Sequence, residues 1–473
     1  MIYGRTEELN TLNEIYASDS SSVVMVYGRT NIGKTALIKE FIKDKDAFYY
    51  CSALASEKEQ LELLKRQLSE SGIEAKDDNI ESSIDEELIH LSKNDSYASY
   101  AHLLKNIVSL KGDKKLIIIE EFQNIVKTSR EFMAVICDLV KGKFFNEKVC
   151  VIVTSSSVSW VENSMVSSIG EHALSIQKFI KLKELSFVDI VRMFPNYSVM
   201  DDTVIFAITG GVPGYLARFS GKMSLRDNII RNILKPGSVL RNEGAEFIKE
   251  ELRETSLYNT ILFCIASGEN KLNELHAHTG FGRDKISVYL KNLADREIVE
   301  KIYSYDIGGK EYTRKGLYSI KSGFTEFWFK FIYPNESKLN ILGEDEFYDR
   351  YIAPEIYSFA REAFVKVSTE FIELMDAMDK LEIKINRRGR WWGKTGNIDI
   401  VACDNSDRYL VGKCNWDEDV FTFTMFEELM LCVNQAGVGK DYIYLFSKDT
   451  FDEELKAFAK DNKNVRLISL TEL

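Results

Sequence analysis

Short apolar runs alternate with amphipathic stretches over the first part of the chain. The runs occupy residues 23–27, 47–51, 116–119, 149–153 and 179–182. A strand that is covered on both faces needs apolar residues at every position, so this pattern predicts a parallel sheet with crossover helices. Ligands bind at the carboxyl ends of the strands in such sheets, and the residues just after each run are therefore candidate functional positions.

The patterning predicts two further units between the sheet and the last third of the chain. Residues 186–250 have helical spacing and close on Gly210-Gly211-Val212-Pro213, which is consistent with a helical lid. Three helical stretches and a hairpin-like stretch around Gly308-Gly309 then follow, which is the element order of a helix-turn-helix with a wing. We therefore expect a winged helix at residues 251–334.

The last part of the chain predicts a mixed α/β unit. The pattern gives a long helix at 347–378, strands near 382–386, 398–402 and 409–415, a helix at 424–434, a strand at 442–446, a further helix and a strand at 465–470. The expected fold is thus α/β throughout, in four segments. These are an ATPase-like core at 1–185, a lid at 186–250, a winged helix at 251–334 and a tail at 345–473.

A complete phosphate-binding loop follows the first apolar run and precedes a helical pattern. It reads Gly28-Arg29-Thr30-Asn31-Ile32-Gly33-Lys34-Thr35. The glycines allow consecutive N–H groups to face phosphate oxygens, and the helix that follows adds the positive end of its dipole. We expect Lys34 to contact the β- and γ-phosphates of ATP and the Thr35 hydroxyl to bind Mg²⁺.

Candidate catalytic residues follow the next strands. Glu120 and Glu121 end the third apolar run, where one carboxylate can hold Mg²⁺ and a second can polarise the attacking water. Ser156 follows the fourth run, where its hydroxyl can sense the γ-phosphate, although a simple polar loop is a comparable interpretation. The predicted metal ligands are Thr35 and Glu120.

The composition limits the kinds of partner and the cellular compartment that we expect for this chain. The 473 residues carry a net charge of -12, which argues against a surface built throughout to coat nucleic acid or an anionic membrane. The seven cysteines are scattered, and no signal segment or apolar stretch of membrane length is evident, so a cytoplasmic protein with reduced thiols is expected. His276 and His278 form the only close histidine pair; no cysteine or clustered carboxylate at ligand spacing accompanies them, so no zinc site is expected.

Five motifs together resemble archaeal-type ATPases, which belong to the signal-transduction (STAND) branch of AAA+-like P-loop NTPases. They are residues 2–9, 28–35, 120–123, 156–159 and 209–216. The resemblance implies that the motif containing Gly4 and Arg5 lies against the adenine. It also implies that Gly211 and Pro213 act as the second sensor of the lid. The family has an Asp at the metal-holding position where this chain has Glu120.

The winged-helix segment offers a modest set of cations. Across residues 271–316 there are nine Lys or Arg against seven Asp or Glu. The candidate DNA contacts are Arg283, Lys285, Lys291, Arg314 and Lys315. Because binding to the DNA backbone scales with the number of phosphates that are neutralised, and because winged helices also bind proteins, a DNA partner and a protein partner both remain open.

The tail resembles a PD-(D/E)XK nuclease domain that lacks its catalytic residues. The family's Asp is present as Asp399, but Lys413 replaces the Glu, Asn415 replaces the Lys and Val365 replaces the helix Glu. Glu362 offers a weaker alternative for the helix position. One carboxylate beside a cation cannot hold a divalent metal well, so nuclease activity is expected to be absent. The basic and aromatic residues at 387–394 could bind nucleic acid, or their Trp side chains could be core.

The sequence thus predicts an ATP- and Mg²⁺-dependent ATPase of slow turnover that acts as a nucleotide switch on DNA or on a protein. The alternatives are a protein-interaction scaffold that uses ATP structurally and, with less support, an active ATP-coupled nuclease.

Overall fold

The computed structural model describes residues 2–73, 95–244, 255–305 and 316–473. The chain divides into two compact units. The first comprises residues 1–184 together with Val212–Gly214, and the second comprises Leu185–Gly211 together with Tyr215–Leu473. The expected four segments remain a prediction, and each compact unit is described by itself.

A five-stranded parallel sheet forms the centre of the first unit, as the apolar runs predict. Its strands are β1 (Ser22–Tyr27), β2 (Ala47–Cys51), β3 (Lys114–Glu120), β4 (Lys148–Ser155) and β5 (Lys178–Lys181). The order is β2-β3-β4-β1-β5, with every pairing parallel. Tyr27 pairs with Ser155, so the loops after β1 and β4 start at the same edge.

Helices cover both faces of this sheet. They are α1 (Thr6–Ala17), α2 (Lys34–Phe41), α3 (Glu57–Glu70), α4 (Asp95–Lys105), α5 (Phe122–Thr128), α6 (Glu131–Val140) and α7 (Met165–Ile169). Successive side chains of a strand point to opposite faces, so Val23 and Met25 join one buried cluster while Val24 and Val26 join another. This double burial explains why β1 is apolar at every position.

The second unit begins with short helices in the segment predicted as a lid. They are α8 (Phe187–Met193), α9 (Val199–Thr209), α10 (Pro213–Leu216, which starts in the first unit) and α11 (Leu225–Ile229). Ser186, Ser198 and Ser224 each accept a hydrogen bond from a backbone N–H of the first turn of a helix, which fixes the starts of α8, α9 and α11.

Three helices and a hairpin follow in the order that a winged helix predicts. They are α12 (Thr255–Ala266), α13 (Leu272–Thr279), α14 (Arg283–Asp295), β6 (Val299–Tyr303) and β7 (Gly316–Ile320), and β6 pairs antiparallel with β7. The tip of the hairpin, including Lys310, Arg314 and Lys315, lies outside the described residues.

A chain of helices leads from the hairpin into the tail. They are α15 (Gly323–Phe327), α16 (Glu336–Leu342), α17 (Glu344–Phe347), α18 (Ile356–Phe359) and α19 (Arg361–Ala377). The prediction of one continuous helix over 347–378 is wrong, because Pro354 lacks a backbone N–H and interrupts it. Short 3-10 or π-helical turns occur at Asn106–Ser109, Trp160–Ser164, Gly170–Ser175, Ile230–Leu234, Trp328–Ile332, Tyr333–Asn335, Tyr348–Ile352 and Leu470–Glu472.

The tail contains a mixed sheet of five strands flanked by helices. The elements are β8 (Arg387–Trp392), β9 (Asn397–Cys403), β10 (Tyr409–Asn415), β11 (Val420–Phe421), α20 (Phe423–Ala436), β12 (Tyr442–Ser447), β13 (Thr450–Phe451), α21 (Glu453–Asp461) and β14 (Val465–Ser469). The sheet order is β14-β12-β10-β9-β8, antiparallel across β8, β9 and β10 and parallel across β10, β12 and β14. The first strand is therefore at 387–392 and not at 382–386.

All seven cysteines are free thiols, in agreement with their scattered spacing. Within the described part of the chain, no helix combines the length and the apolar composition that crossing a bilayer requires.

Candidate nucleotide-binding site

The loop between β1 and α2 has the backbone geometry of an anion-binding loop. Gly28 has φ 154° and Gly33 has φ 95°, and Asn31 adopts a left-handed φ of 66°. A Cβ at Gly28 would lie 2.9 Å from the carbonyl oxygen of Leu182, so no larger side chain fits there without movement. Left-handed and other positive-φ residues interspersed along a loop turn successive backbone N–H groups toward one point at the N-terminus of a helix.

Lys34 lies inside this loop. Its side chain is buried, and its Nζ donates to the carbonyl oxygen of Gly28 at 2.8 Å and to that of Arg29 at 3.2 Å. Burial lowers the pKa of Lys34, while the charges of Glu121 and Glu120 act in the opposite direction. The ammonium group is thus held at the loop that the phosphates of a nucleotide would occupy.

Glu120 and Thr35 meet across the site. Thr35 Oγ1 donates to Glu120 Oε2 at 3.0 Å, and the glutamate is buried at the end of β3. The other carboxylate oxygen, Oε1, is also buried and accepts no hydrogen bond from the described residues. Burial, with a smaller contribution from Glu120, raises the pKa of Tyr49 beside it. A hydroxyl and a carboxylate with a spare buried oxygen fit a hard cation such as Mg²⁺.

Glu121 faces a different set of partners. Its backbone is left-handed, with φ 52°, and its Oε2 accepts hydrogen bonds from Ser156 Oγ at 2.6 Å and Gln123 Nε2 at 2.5 Å. Ser52 Oγ donates to the carbonyl oxygens of Glu120 and Glu121 at 2.9 and 2.5 Å. Ser52 was missed from the sequence, although it directly follows the apolar run at residues 47–51.

Arg5 fixes the phosphate-binding loop from the N-terminal segment. It is 4% exposed and donates to the carbonyl oxygens of Ile32 at 3.1 Å and Lys183 at 2.6 Å. Gly4, which precedes it, is left-handed with φ 61°. The structure thus places the first motif against the loop and against the chain that leaves β5.

The segment that returns to the first unit also contacts the loop. The backbone N–H of Gly214 donates to the carbonyl oxygen of Asn31 at 2.9 Å, and a Cβ at Gly214 would lie 2.7 Å from the Asn31 Cβ. The Pro213 Cγ lies 3.6 Å from where a Cβ at Gly33 would be. Gly211 belongs to the second unit, where its carbonyl oxygen accepts from the Leu185 N–H at 2.8 Å.

The candidate DNA contacts on α14 are all exposed to solvent. Arg283 Nε donates to Asn273 Oδ1 at 3.0 Å. Lys285 Nζ lies 5.3 Å from the centroid of the Phe281 ring. Lys291 is on the same helix, so the structure presents three cations of one helix to solvent.

The tail residues that correspond to a nuclease site do meet, around a cavity of about 440 Å³. Asp399 is buried, and its Oδ2 lies 3.5 Å from Lys413 Nζ and accepts the Cys414 N–H at 2.9 Å. Burial raises the pKa of Asp399, and Lys413 partly offsets this. Val365 lines the same cavity, and Asn415 Nδ2 donates to the carbonyl oxygen of Glu418 at 2.9 Å.

The basic residues of β8 are paired within the second unit. Arg390 Nη1 lies 2.6 Å from Glu362 Oε2, and Arg388 forms an ion pair with Glu373. The guanidinium of Arg387 stacks over Tyr305, 3.9 Å from the ring centroid. Trp391 is 4% exposed and belongs to the tail core. The interpretation of Trp391 as a core residue is therefore the better one.

Two family models match the chain. Residues 2–219 match an ATPase domain found predominantly in Archaea, and residues 328–428 match archaeal and bacterial proteins of unknown function. An uncharacterized protein of Methanocaldococcus jannaschii is 29% identical over 408 residues, which covers 86% of this chain and 85% of the relative.

Two solved structures are similar to parts of the chain. A Walker-type ATPase of Pyrococcus abyssi matches with a TM-score of 0.45 and 15% identity, covering 69% of this chain and 96% of that one. The ORC2 protein of Aeropyrum pernix, solved as ADPNP–ADP complexes, matches with a TM-score of 0.44 and 13% identity, covering 72% and 96%. The family matches and the site geometry support a P-loop ATPase, in which residues 2–219 are similar to an ATPase domain found predominantly in Archaea and residues 328–428 are similar to archaeal and bacterial proteins of unknown function.

Proposed function

We propose that this ATPase binds ATP·Mg²⁺ in the loop at residues 28–35, hydrolyses it slowly and acts as a nucleotide-dependent switch. The observation that carries the proposal is the convergence of Lys34, Thr35, Glu120 and Glu121 on one edge of the parallel sheet. An ammonium group, a hydroxyl and two carboxylates, the groups that phosphoryl transfer requires, meet where such sheets bind ligands.

Thr35 and Glu120 would hold Mg²⁺ in this proposal. The unpartnered buried Oε1 of Glu120 supports it, because a buried carboxylate oxygen without a hydrogen bond is costly unless a cation or water compensates it. A bound Mg²⁺ neutralises phosphate charge. Lys34 supplies a further positive charge from the loop itself.

Glu121 is proposed to orient the attacking water. Its carboxylate is held by Ser156 and Gln123, so it is positioned but has two of its lone pairs engaged. Ser156 is proposed to report the presence of the γ-phosphate to Glu121 through this hydrogen bond.

The switch is proposed to act through residues 212–214. This segment contacts the phosphate-binding loop through Asn31, and the chain on both of its sides belongs to the second unit. Any change that nucleotide causes in the backbone at Asn31 therefore acts on a segment that is covalently continuous with Gly211 and Tyr215. The Gly211 and Pro213 positions are proposed to serve as the lid sensor.

The second unit is proposed to carry the nucleotide-dependent effect to a partner. In this proposal α14 contacts DNA, and the tail no longer cuts nucleic acid. The exposed Arg283, Lys285 and Lys291 support the first part. For the tail, Lys413 occupies the position beside Asp399 where a metal site needs negative charge. The alternative is a protein partner on the same surface.

The test of the ATPase assignment is nucleotide binding and turnover in three variants. Lys34→Ala is expected to abolish ATP binding in titration calorimetry, whereas Glu121→Gln keeps binding and loses hydrolysis. Lys39→Ala is the matched control, because Lys39 is an exposed lysine on the same helix. Unchanged ATP affinity in Lys34→Ala would contradict the proposal.

The test of the inactive tail is incubation with plasmid, linear, single-stranded and RNA substrates plus Mg²⁺ or Mn²⁺, with and without ATP. All substrates are expected to stay intact. Cleavage that disappears in Asp399→Ala would restore the nuclease alternative.

A further inference from the structure

Three side chains of different ligand chemistry meet in the three-helix segment of the second unit. Cys264 lies near the end of α12, Glu269 follows that helix and His278 lies in the last turn of α13. One donor atom of each lies within 4.8 Å of the others. Two of these atoms, His278 Nδ1 and Glu269 Oε1, are 2.7 Å apart.

The environment of the cluster is partly closed. Cys264 is fully buried, whereas the side chains of Glu269 and His278 are 33% and 45% exposed. The second oxygen of Glu269, Oε2, is buried and accepts no hydrogen bond from the described residues. Burial raises the pKa of the Cys264 thiol to about 11, and the charge of Glu269 adds to this. The cluster therefore places a buried carboxylate oxygen and a buried thiol beside a partly exposed imidazole.

We propose that Cys264, Glu269 and His278 form a binding site for a divalent transition-metal ion, with Zn²⁺ as the best fit. Thiolate, carboxylate and imidazole are its usual ligands, and three protein ligands with a position open to solvent form a common zinc geometry. Tetrahedral bonds of about 2.0–2.3 Å separate ligand atoms by roughly 3.5 Å, so His278 Nδ1 and Glu269 Oε1, now 2.7 Å apart, would move apart, and atoms that lie up to 4.8 Å apart would move together. The partial exposure of His278 provides the entry path.

Metal binding at this site involves no redox change. The thiol proton of Cys264 leaves to solvent, and the ring nitrogen of His278 that binds the metal must carry no proton. The ion would then compensate both the thiolate charge and the carboxylate of Glu269.

This site differs from what the sequence suggested. The histidine pair is not the ligand set, because His276 Nδ1 lies 2.7 Å from the carbonyl oxygen of Phe281. The cysteine and carboxylate come from the preceding helix and turn, and only folding brings them to His278. A bound ion would tie the end of α12 to the end of α13, directly before α14 begins.

Cobalt is the spectroscopic test. The full chain is freed of metal with a chelator, returned to excess Mg²⁺ and titrated with Co²⁺ at neutral pH. We expect one equivalent to bind with visible bands of four-coordinate cobalt and a near-ultraviolet thiolate charge-transfer band. Excess Zn²⁺ should remove all of these bands.

Variants identify the ligands. Cys264→Ser should lose the charge-transfer band, His278→Gln should weaken Co²⁺ binding at least tenfold, and the matched control His276→Gln should behave as wild type. Circular dichroism checks that each variant is folded. If one of the ligand variants is not folded, Glu269→Gln is used in its place, and the affinity of that variant for Co²⁺ should also fall at least tenfold. No stoichiometric Co²⁺ binding by the wild type, or a charge-transfer band that persists in folded Cys264→Ser, would overturn the proposal.

Discussion

Adjacent glutamates differ in environment because the backbone turns between them. Glu120 is the last residue of β3 and continues the strand, so its side chain is buried beside Thr35. Glu121 has φ 52° and turns toward Ser156 after β4. A left-handed glutamate is strained, and such strain persists where the surrounding contacts enforce it. The sequence predicts two carboxylates at this edge, but their division of roles depends on a single φ angle.

This difference gives a first prediction at the metal position. Glu120→Gln removes the negative charge but keeps the side-chain length and the hydrogen bond from Thr35. ATP binding measured in a chelator should therefore change little, whereas the gain in affinity from Mg²⁺ should fall about tenfold or more. Titration calorimetry with and without Mg²⁺ measures this. An unchanged Mg²⁺ effect would move the metal ligand away from Glu120.

A second prediction concerns pH. Asp202 on α9 is 1% exposed, its Oδ1 accepts no hydrogen bond from the described residues, and burial followed by the charge of Asp201 raises its pKa to about 7. The folded state thus holds a proton that the unfolded state releases near the ordinary aspartate pKa of 3.8. The stability contribution of Asp202 is fully present below that value, and it falls as pH rises toward 7.

Asp202→Asn removes this dependence. The variant should unfold at a higher temperature than wild type at pH 8, equivalent to about 1–4 kcal/mol, because each pKa unit corresponds to about 1.36 kcal/mol. The difference should shrink as the pH is lowered toward 4. Thermal melting followed by circular dichroism at several pH values measures it. A difference that does not vary with pH would show that Asp202 is charged in the folded protein.

At the scale of elements, a strand is predictable from the sequence where it carries an apolar run. The five parallel strands of the first unit lie within two residues of such runs, and the central strands β1, β3 and β4 are buried at nearly every position. Strand β8 is at the edge of its sheet and reads Arg-Arg-Gly-Arg-Trp-Trp, with most of its positions at least partly exposed. Nothing in that pattern indicates a buried strand, so the prediction selected residues 382–386.

One contact between elements could not be read from the sequence. Tyr305 follows β6 of the hairpin, is 6% exposed and belongs to the core of the tail. Its hydroxyl donates to Cys403 Sγ at 2.9 Å, and Arg387 covers its ring. A single aromatic side chain thus joins the hairpin to β8 and β9.

A third prediction tests this connection. Tyr305→Ala should destabilise the second unit by about 3–5 kcal/mol, because it removes a large side chain from a packed core. Tyr303→Ala is the control, since Tyr303 lies two residues earlier, at the end of β6, and is only partly buried. Chemical denaturation measures both variants, and limited proteolysis should cleave the Tyr305→Ala hairpin faster. Equal effects of the two substitutions would show that Tyr305 does not connect the elements.

At the scale of the whole molecule, a net charge of -12 makes any DNA contact local. The described cations that face solvent on α14 are few, and the β8 arginines 387, 388 and 390 are engaged by Tyr305, Glu373 and Glu362. A protein with few phosphate contacts binds with a shallow salt dependence, because each contact releases about one counterion. The number of contacts can therefore be measured and compared with the number of exposed cations.

The last prediction follows from this comparison. DNA affinity measured across salt concentrations should fall with a log–log slope of about -0.9 for each phosphate contact. Replacing Arg283, Lys285 and Lys291 together by Ala should flatten the slope by roughly 2.7 if all three touch phosphates. A charge-matched control replaces Lys380, Lys440 and Lys463, which are exposed on the tail, and should keep the wild-type slope. If both triple variants reduce binding equally, the attraction is a general effect of charge and α14 is not the contact surface. If the wild type shows no salt-dependent DNA binding with ATP or with ADP, the second unit acts on a protein partner, because binding through DNA phosphates always depends on salt.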